Sequence, residues 1–224
     1  MVKSVHTVSV SGAVACHVCP VRYFLEQEMA RGESIRYTLA KQIAAHFGGD
    51  LDADTIWGEV QAVLPEAAEE HRTLLEEWLA RCRGADWRSA AETEVAVTSS
   101  RLGIHGVVDR LFSEEPYFAV VRSSEAPAAG IYGTDRIRVA CYAACVEELL
   151  GVLVRAGVVE YVPSGTARLC VPQPRDRRAA LRAIRMATEI NAGAMPHKPF
   201  RAPCETCPLQ EHCSFGGRRL SDLL

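Results

Sequence analysis

Three cysteines near the end of the chain constrain the fold more than any other feature. They are Cys204, Cys207 and Cys213, in the pattern C-x2-C-x5-C, within a short loop that also contains prolines. Thiols as crowded as these are spaced to surround a metal centre, which needs four ligands as a rule. The best candidates for a fourth ligand are Cys19 and Cys16, close to the other end of the chain. The pattern therefore predicts a metal centre that fastens the two ends of the chain together.

The residues leave the identity of the metal open. Zinc would accept four cysteines, or three cysteines with His17 or His212. An iron–sulfur cluster prefers thiolates at uneven spacing, often with a proline beside a ligand, as in Cys19-Pro20 and Cys207-Pro208. The spacing favours iron–sulfur over zinc, with unligated thiols as the third alternative.

The bulk composition is that of a globular protein with one substantial core. The 224 residues are 48% hydrophobic and 24% charged, and the net charge of −3 excludes an overall basic nucleic-acid-binding protein. The nine cysteines do not resemble a disulfide framework. No run reaches the ~18 apolar residues of a membrane span, and the N-terminal segment is too polar for a signal peptide. These features predict a soluble, cytoplasmic protein.

The periodicity of apolar residues predicts an α/β or α+β core with a helical insert at its front. The predicted helices span 21–45 with a break at Gly32, a segment from Asp54, 65–82, 135–155 and 174–191. The predicted strands span 92–97, 104–112 and 117–122, as an antiparallel meander, then 158–162 and 168–171, with 5–12 as a further strand or extended arm. One domain is predicted over 1–224, with a mainly helical part at 20–90, a sheet core at 91–172, and a C-terminal helix and cysteine loop at 173–224 joined to Cys19.

The order of these elements and the cysteine motifs resemble the CRISPR-associated, RecB-like exonucleases that carry an iron–sulfur cluster. The resemblance covers nearly the whole chain, from Cys-Pro-Val-Arg-Tyr-Phe-Leu at 19–25 to C-x2-C-P-x4-C at 204–213. Gly-Val-Val-Asp-Arg at 106–110 is similar to the G-x-V-D strand of the family. Asp-Arg-Ile-Arg-Val-Ala-Cys-Tyr at 135–142 is similar to the start of the helix that follows the active site.

This resemblance implies the PD-(D/E)xK fold, a restriction-endonuclease-like core in which helices flank a central mixed sheet, with a helical insert and a C-terminal iron–sulfur loop. It implies a [4Fe–4S] cluster, with Cys16 as a spare thiol. The implied ligands are Cys19, Cys204, Cys207 and Cys213. It also implies Mg²⁺- or Mn²⁺-dependent hydrolysis of DNA, either single-stranded or at DNA ends, in antiviral defence. The setting would be CRISPR adaptation, beside the integrase complex.

The catalytic motifs of that family are degraded in this chain. Asp109 matches the first acid and Tyr142 matches the tyrosine of Q-x-x-x-Y, whereas E-x-K falls on Val120-Val121-Arg122. The histidine of the family falls on Arg36 and its glutamine on Arg138. A valine cannot bind a cation, one carboxylate cannot hold Mg²⁺ well against its hydration, and guanidinium does not deprotonate at usable pH. The sequence therefore predicts that the hydrolytic centre is lost.

Arginines at two places could still bind nucleic acid. Arg36, Arg122 and Arg138 are predicted to converge beside Asp109, where guanidinium groups can bind phosphate without a metal. The alternative is a former site refilled with residues that pair with Asp109. A second basic feature lies on one face of the last predicted helix, which either follows a phosphate backbone or is simply solvated. It consists of Arg175, Arg178, Arg182 and Arg185.

Three functions therefore remain open from the sequence. The first is a catalytically inactive iron–sulfur protein that binds DNA or a DNA-processing complex. The second is an active Mg²⁺- or Mn²⁺-dependent nuclease that uses Asp109, Glu94 as a substitute acid, and Arg122 in the charge-stabilising role of the lysine. The third is a zinc-stabilised scaffold that binds no nucleic acid.

Overall fold

A mixed sheet of six strands lies at the centre of the described structure, with helices on both of its faces. The computed structural model describes residues 7–27, 29, 32–200 and 202–213. Its strands are β1 (Val8–Ser9), β2 (Glu92–Ser99), β3 (Ile104–Leu111), β4 (Phe118–Arg122), β5 (Gly157–Tyr161) and β6 (Thr166–Cys170). Its helices are α1 (Val10–Val18), α2 (Pro20–Glu26), α3 (Ile35–Ala45), α4 (Ala53–Val63), α5 (Glu69–Cys82), α6 (Gly133–Leu150) and α7 (Pro174–Asn191). Short 3-10 turns lie at Val162–Ser164, Cys204–Thr206 and Gln210–His212.

Strands β3 and β4 pair with each other over only part of their length. β2 takes one edge of β3 along its whole length, in antiparallel orientation. The other edge is shared, since β1 runs parallel to it at Ile104 and His105 whereas β4 pairs antiparallel with it at Arg110 and Leu111. Among the described residues no strand pairs with 106–109 on this edge. The sheet therefore has a gap between β3 and β4, and this gap begins at Asp109, next to the paired Arg110.

The rest of the sheet is mixed in direction. β4 pairs parallel with β5, and α6 forms the crossover that a parallel pair requires. β5 then pairs antiparallel with β6. The predicted meander of β2, β3 and β4 is confirmed. The central mixed sheet with flanking helices also confirms the predicted α/β class.

Two apolar cores lie on opposite faces of the sheet. Val120 of β4 belongs to the core that includes buried residues of α1, α6 and α7. Its neighbour Val121 belongs to the core of α3, α4 and α5. Because successive strand residues point to opposite faces, the two helical layers sandwich the sheet. Helices of both layers therefore reach the gap between β3 and β4.

The N-terminal segment differs from its prediction. The alternation at 5–12 predicts a strand or an extended arm, but the strand is limited to Val8–Ser9 and α1 begins at Val10. The Ser9 side chain caps this helix by accepting the N–H of Gly12 at 2.9 Å. Residues 5 and 6 lie outside the described residues. The alternating valines therefore belong to the start of a helix.

Other helix ends shift for identifiable reasons. The helix predicted at 135–155 ends at Leu150, since Gly151 adopts φ +68°, a left-handed conformation that terminates helices. The helix expected from Pro65 begins at Glu69, whereas α7 spans 174–191 as predicted. None of the described helices is both long and apolar enough to cross a membrane.

Candidate functional site

A polar cavity of about 320 Å³ lies where β3 and β4 separate. Its walls come from the sheet, from α1, and from α3 and α6 on the two faces of the sheet. Its lining includes Ser11, Tyr37, Asp109, Arg122, Arg138 and Tyr142. The structure thus brings together four residues predicted for the site, and we call this space the Asp109 cavity.

Donors from a side chain and from the backbone hold the Asp109 carboxylate. The Tyr37 hydroxyl donates to Oδ1 at 2.6 Å, and the Val121 amide donates to Oδ2 at 2.8 Å. The Val121 amide is free for this bond because β3 and β4 have already separated at that point. Asp109 is 9% exposed. Burial raises its pKa, although the bonds from Tyr37 and Val121 oppose that shift.

Tyr37 is a site residue that the sequence analysis missed. Burial, followed by the nearby negative charge of Asp109, raises the pKa of Tyr37. The hydroxyl therefore keeps its proton and acts as a donor. The helical spacing of Tyr37 and Lys41, four residues apart on α3, is the signal that could have indicated one face turned toward the site.

Tyr142 forms another wall of the cavity and is 6% exposed. It lies close over Gly106, where an added Cβ would be 2.9 Å from the Cε1 atom of its ring. Burial and the charge of Asp109 raise the pKa of Tyr142 to about 12. The glycine of the G-x-V-D pattern thus allows the ring to approach the strand that carries Asp109.

Val120 lies where the resembled family has the acid of its E-x-K motif. Val120 is fully buried in the core on the α6 side. Its neighbour Val121 lines the cavity and contributes its amide to Asp109. At this point β4 therefore contributes a backbone donor to Asp109 and a valine side chain to the core.

The two arginines of the cavity differ in their partners. Arg122 is ion-paired, with its Nε 2.8 Å from Oδ1 of Asp135. Asp135 is buried and also accepts a hydrogen bond from the Tyr161 hydroxyl at 2.9 Å. Arg138 contacts Ser11, with Nη1 3.4 Å from Oγ, and its buried Nε has no hydrogen-bond partner among the described residues. Burial and the charge of Arg122 lower the pKa of Arg138.

The prediction that Arg36 converges on Asp109 is wrong. Its guanidinium lies over the Trp78 ring, 4.9 Å from the centroid, and it does not line the cavity. Because consecutive helical residues point about 100° apart, Tyr37 takes the inward direction on α3 and Arg36 does not. The site therefore contains two of the three predicted arginines.

Glu94, the possible substitute acid, forms an ion pair with Lys41. Glu94 has φ +52°, in the left-handed region that is uncommon for residues other than glycine. The Lys41 ammonium also lies 3.4 Å from Oε1 of Glu33. Burial lowers the pKa of Lys41, but its bonds with Glu94 and Glu33 outweigh that effect and leave the pKa raised. Lys41, Glu94 and Asp109 line a smaller cavity of about 30 Å³ beside the first.

The arginines predicted on one face of α7 are all exposed. They are Arg175, Arg178, Arg182 and Arg185. The opposite face buries Ala183, Ile184 and Ala187. Burial, and then the charge of Arg182, lowers the pKa of His17 on α1. Arg182 of this face therefore lies near the C-terminal end of α1.

The four cysteines predicted as ligands line one cavity of about 160 Å³. They are Cys19, Cys204, Cys207 and Cys213, all free and partly exposed. Cys16 is 2% exposed and packs in the core away from this cavity, where burial raises its pKa to about 12. The two ends of the described chain thus meet at this cysteine cavity, and Cys19 is the thiol that faces it.

The four thiols line a common cavity, and their fit to a metal centre can be tested against the ligands that each metal prefers. In the described part of the chain, no three side chains of His, Cys, Asp or Glu are grouped as ligands of a single metal ion. A zinc ion bonds each sulfur at about 2.3 Å, so its ligands must close around one atom. Four thiols on one cavity fit the ligand set of an iron–sulfur cluster, and they also fit that of a four-cysteine zinc site.

Comparison with known proteins gives a fold and no family. No family model matches the chain, and no curated protein matches it. Among solved structures, the chain is similar to a presumed exonuclease from Eubacterium rectale, with a TM-score of 0.59 and 14% sequence identity. The alignment covers 96% of this chain and 91% of the other. Together with the mixed sheet and its flanking helices, this likeness shows that the chain has a nuclease-like fold.

Proposed function

We propose that this protein binds DNA through arginine–phosphate contacts and does not cleave it by divalent-metal hydrolysis. The state of Asp109 carries the proposal, because both carboxylate oxygens accept hydrogen bonds, one from Tyr37 and one from the Val121 amide. Two-metal or single-metal hydrolysis needs such oxygens for the cation, together with a second acid. The position of that acid holds the buried Val120.

Two basic features support DNA as the ligand. Arg122 and Arg138 line the Asp109 cavity. The four arginines of α7 are exposed, and α7 packs in the same core as α1. Guanidinium binds phosphate through paired N–H donors and needs no metal to do so. Contacts of this kind supply affinity that does not depend on base sequence.

We also propose that the cysteine cavity holds an iron–sulfur cluster of the [4Fe–4S] type. The shared cavity of Cys19, Cys204, Cys207 and Cys213 supports this assignment, as does its agreement with the family that the sequence resembles. When bound, the cluster would supply iron–thiolate bonds between the two ends of the chain. The surrounding residues would exclude water from it, since Leu209 of the cavity wall is 2% exposed.

The sequence resemblance suggests a setting for this activity. Members of the resembled family handle the ends of new spacer DNA beside the CRISPR integrase in the cytoplasm. A non-cleaving member would hold single-stranded DNA or a DNA end for another enzyme of that complex. The supporting observations in this chain are the nuclease-like fold and the cysteine arrangement.

A binding assay with a matched pair of variants tests the proposal. Fluorescence anisotropy would measure the Kd for single-stranded and splayed DNA at several salt concentrations with EDTA present. Replacing the four exposed arginines of α7 by glutamine should weaken binding and reduce the salt slope, by about 0.7 for each phosphate contact removed on a single strand. Arg155→Gln, in the exposed loop after α6, serves as the control and should leave both quantities unchanged.

An active nuclease is the second candidate, and one observation favours it. Glu94 and Lys41 line the small cavity beside Asp109, so an acid and a cation lie near the catalytic position. Cleavage of DNA with Mg²⁺ or Mn²⁺ that Asp109→Ala abolishes would establish this candidate and refute the non-cleaving one. Under our proposal, neither ion produces cleavage above that of the Asp109→Ala variant.

A zinc-stabilised scaffold is separated from the cluster protein by spectroscopy and metal analysis. Anaerobically purified protein with a cluster should absorb near ~400 nm because of thiolate-to-iron charge transfer. Stoichiometric zinc without that absorption would overturn the cluster assignment. The DNA-binding assay above then decides whether a zinc protein binds nucleic acid at all.

A further inference from the structure

The partly buried side chain of Arg138 lines the Asp109 cavity, and its Nε atom is fully buried. In the described part of the chain it forms no ion pair, and its contact with Ser11 Oγ is long at 3.4 Å. Its Nε is buried and has no hydrogen-bond partner among the described residues. A guanidinium carries five N–H donors in a fixed fork, and leaving them unpaired in a buried position is costly. The group therefore has donors available for a ligand.

The other charged groups of the cavity already have partners. Arg122 is paired with Asp135, and Glu33 is paired with Lys41. Asp109 accepts one hydrogen bond at each oxygen. The charge of Arg122 lies close enough to Arg138 to act on it unfavourably. An anion between these two guanidinium groups would relieve their repulsion.

Ser11 brings the start of α1 to the same space. Ser11, in the first turn of α1, lines the cavity and lies beside Arg138. The first turn of a helix presents unpaired N–H groups and a partial positive charge, which favour an anion. Ser9 caps the N–H of Gly12 alone, so the side chain of Ser9 does not satisfy the earlier amides of this turn.

We propose that the Asp109 cavity is a metal-independent site for one phosphate group of a nucleic-acid strand, with Arg138 as its principal ligand and Ser11 as a second. This assignment rests on the proposed binding of DNA and names the group at which the strand is held. A terminal phosphate and an internal phosphodiester share the chemistry that Arg138 recognises. The experiment below distinguishes the two.

Isothermal titration calorimetry with EDTA present would measure the binding of inorganic phosphate and of the dinucleotides pTpT and TpT. Arg138→Gln should weaken all measurable binding by about tenfold or more, the loss of one charge-assisted hydrogen bond. The affinity of Arg138→Lys should lie between those of the wild type and Arg138→Gln, because lysine keeps the positive charge but lacks the paired N–H donors of guanidinium. Arg155→Gln should bind as wild type does.

The dinucleotides identify the source of the phosphate. Tighter binding of pTpT than of TpT assigns the site to a terminal phosphate, and equal binding assigns it to an internal one. Binding of neither dinucleotide, binding that requires Mg²⁺, or unchanged binding by folded Arg138→Gln and Arg138→Lys would overturn the assignment. Circular dichroism establishes that each variant is folded.

Failure of this site is distinguishable from failure of the proposed function. Wild-type protein that binds dinucleotide phosphate through Arg138 but shows no salt-dependent affinity for long DNA would refute the DNA-binding function alone. Protein that binds long DNA with an affinity unaffected by Arg138→Gln, and that shows no dinucleotide binding, would refute the Arg138 site alone.

Discussion

The hydrogen bond from Tyr37 limits which other groups the Asp109 carboxylate can bind. Its hydroxyl and the Val121 amide each take one carboxylate oxygen, in a place with little access to solvent. Under the proposed function, a divalent cation would compete with these donors for the carboxylate, and Val120, a core residue, would offer it no oxygen. Tyr37 and Val121 together fix the position of the Asp109 carboxylate.

The Tyr37 hydroxyl should contribute measurably to stability. We expect Tyr37→Phe to reduce the free energy of unfolding by about 1.5–3 kcal/mol, because a buried carboxylate loses a hydrogen bond. Urea denaturation monitored by circular dichroism measures this change. Tyr132→Phe is the matched control, since that side chain is 43% exposed, and it should have almost no effect. Equal stability of the two variants would contradict this account of Asp109.

Single residues at the site were predictable only where a motif fixed their position. Asp109 and Tyr142 could be recognised from their sequence motifs, and both line the cavity. Arg36 and Tyr37 are adjacent in sequence, so the sequence alone could not decide which of them faces inward. That choice depends on how α3 packs against the sheet, which Ser34 influences by capping the helix.

A buried ion pair links strands β3 and β5 across β4. Arg110 Nη1 lies 2.5 Å from Oε1 of Glu160, and their side chains are 1% and 3% exposed. Arg110 Nη2 also donates to the carbonyl of Phe47 at 3.1 Å. Burial raises the pKa of Glu160, while the charge of Arg110 opposes that shift. Arg110 therefore links the segment that follows α3 to the sheet.

Replacing one partner of this pair should lower the free energy of unfolding more than replacing both partners. We expect Arg110→Met to destabilise the fold by about 3–5 kcal/mol, because Glu160 is left buried and unpaired. The double variant Arg110→Met, Glu160→Leu should recover part of that loss. Chemical denaturation of both variants measures the difference, and a double variant less stable than the single one would contradict this interpretation.

Elements were predictable where the local signals agreed. In α7, Pro174 in the first turn, the acidic Asp176 and a regular apolar face all indicate the same helix, and its bounds match the prediction. In α1, the alternation of valines indicates a strand while the Ser9 cap indicates a helix. Burial of Val10 and Val14 on one helix face decided the outcome, and that depends on tertiary packing.

Over the whole molecule, the cysteine cavity joins the first two helices to the C-terminal loop. Cys19 lies between α1 and α2, and the other three thiols lie beyond α7. α1 also packs in the same core as α7, which brings the helices on either side of Cys19 near the helix that precedes the other three thiols. The sequence pattern could predict the four cysteines of this cavity, whereas the core position of Cys16 depends on how α1 packs.

The choice between Cys19 and Cys16 gives a matched pair of variants. We expect Cys19→Ser to lower the iron content per chain and the absorption near ~400 nm, because a ligand of the proposed cluster is lost. Cys16→Ala should leave both unchanged, since Cys16 lies in the core away from the cavity. Iron loss in Cys16→Ala but not in Cys19→Ser would reverse the ligand assignment.

The gap between β3 and β4 has a consequence for substitutions around Asp109. This carboxylate accepts one hydrogen bond from a helix side chain, Tyr37, while its own strand is held by β2 along the opposite edge. Exchanges on α3 and α6 can thus change the chemistry around this carboxylate while the strand pairing stays intact. Ligand binding at this carboxylate can therefore be altered by single substitutions on helices that leave the β2–β3 ladder in place.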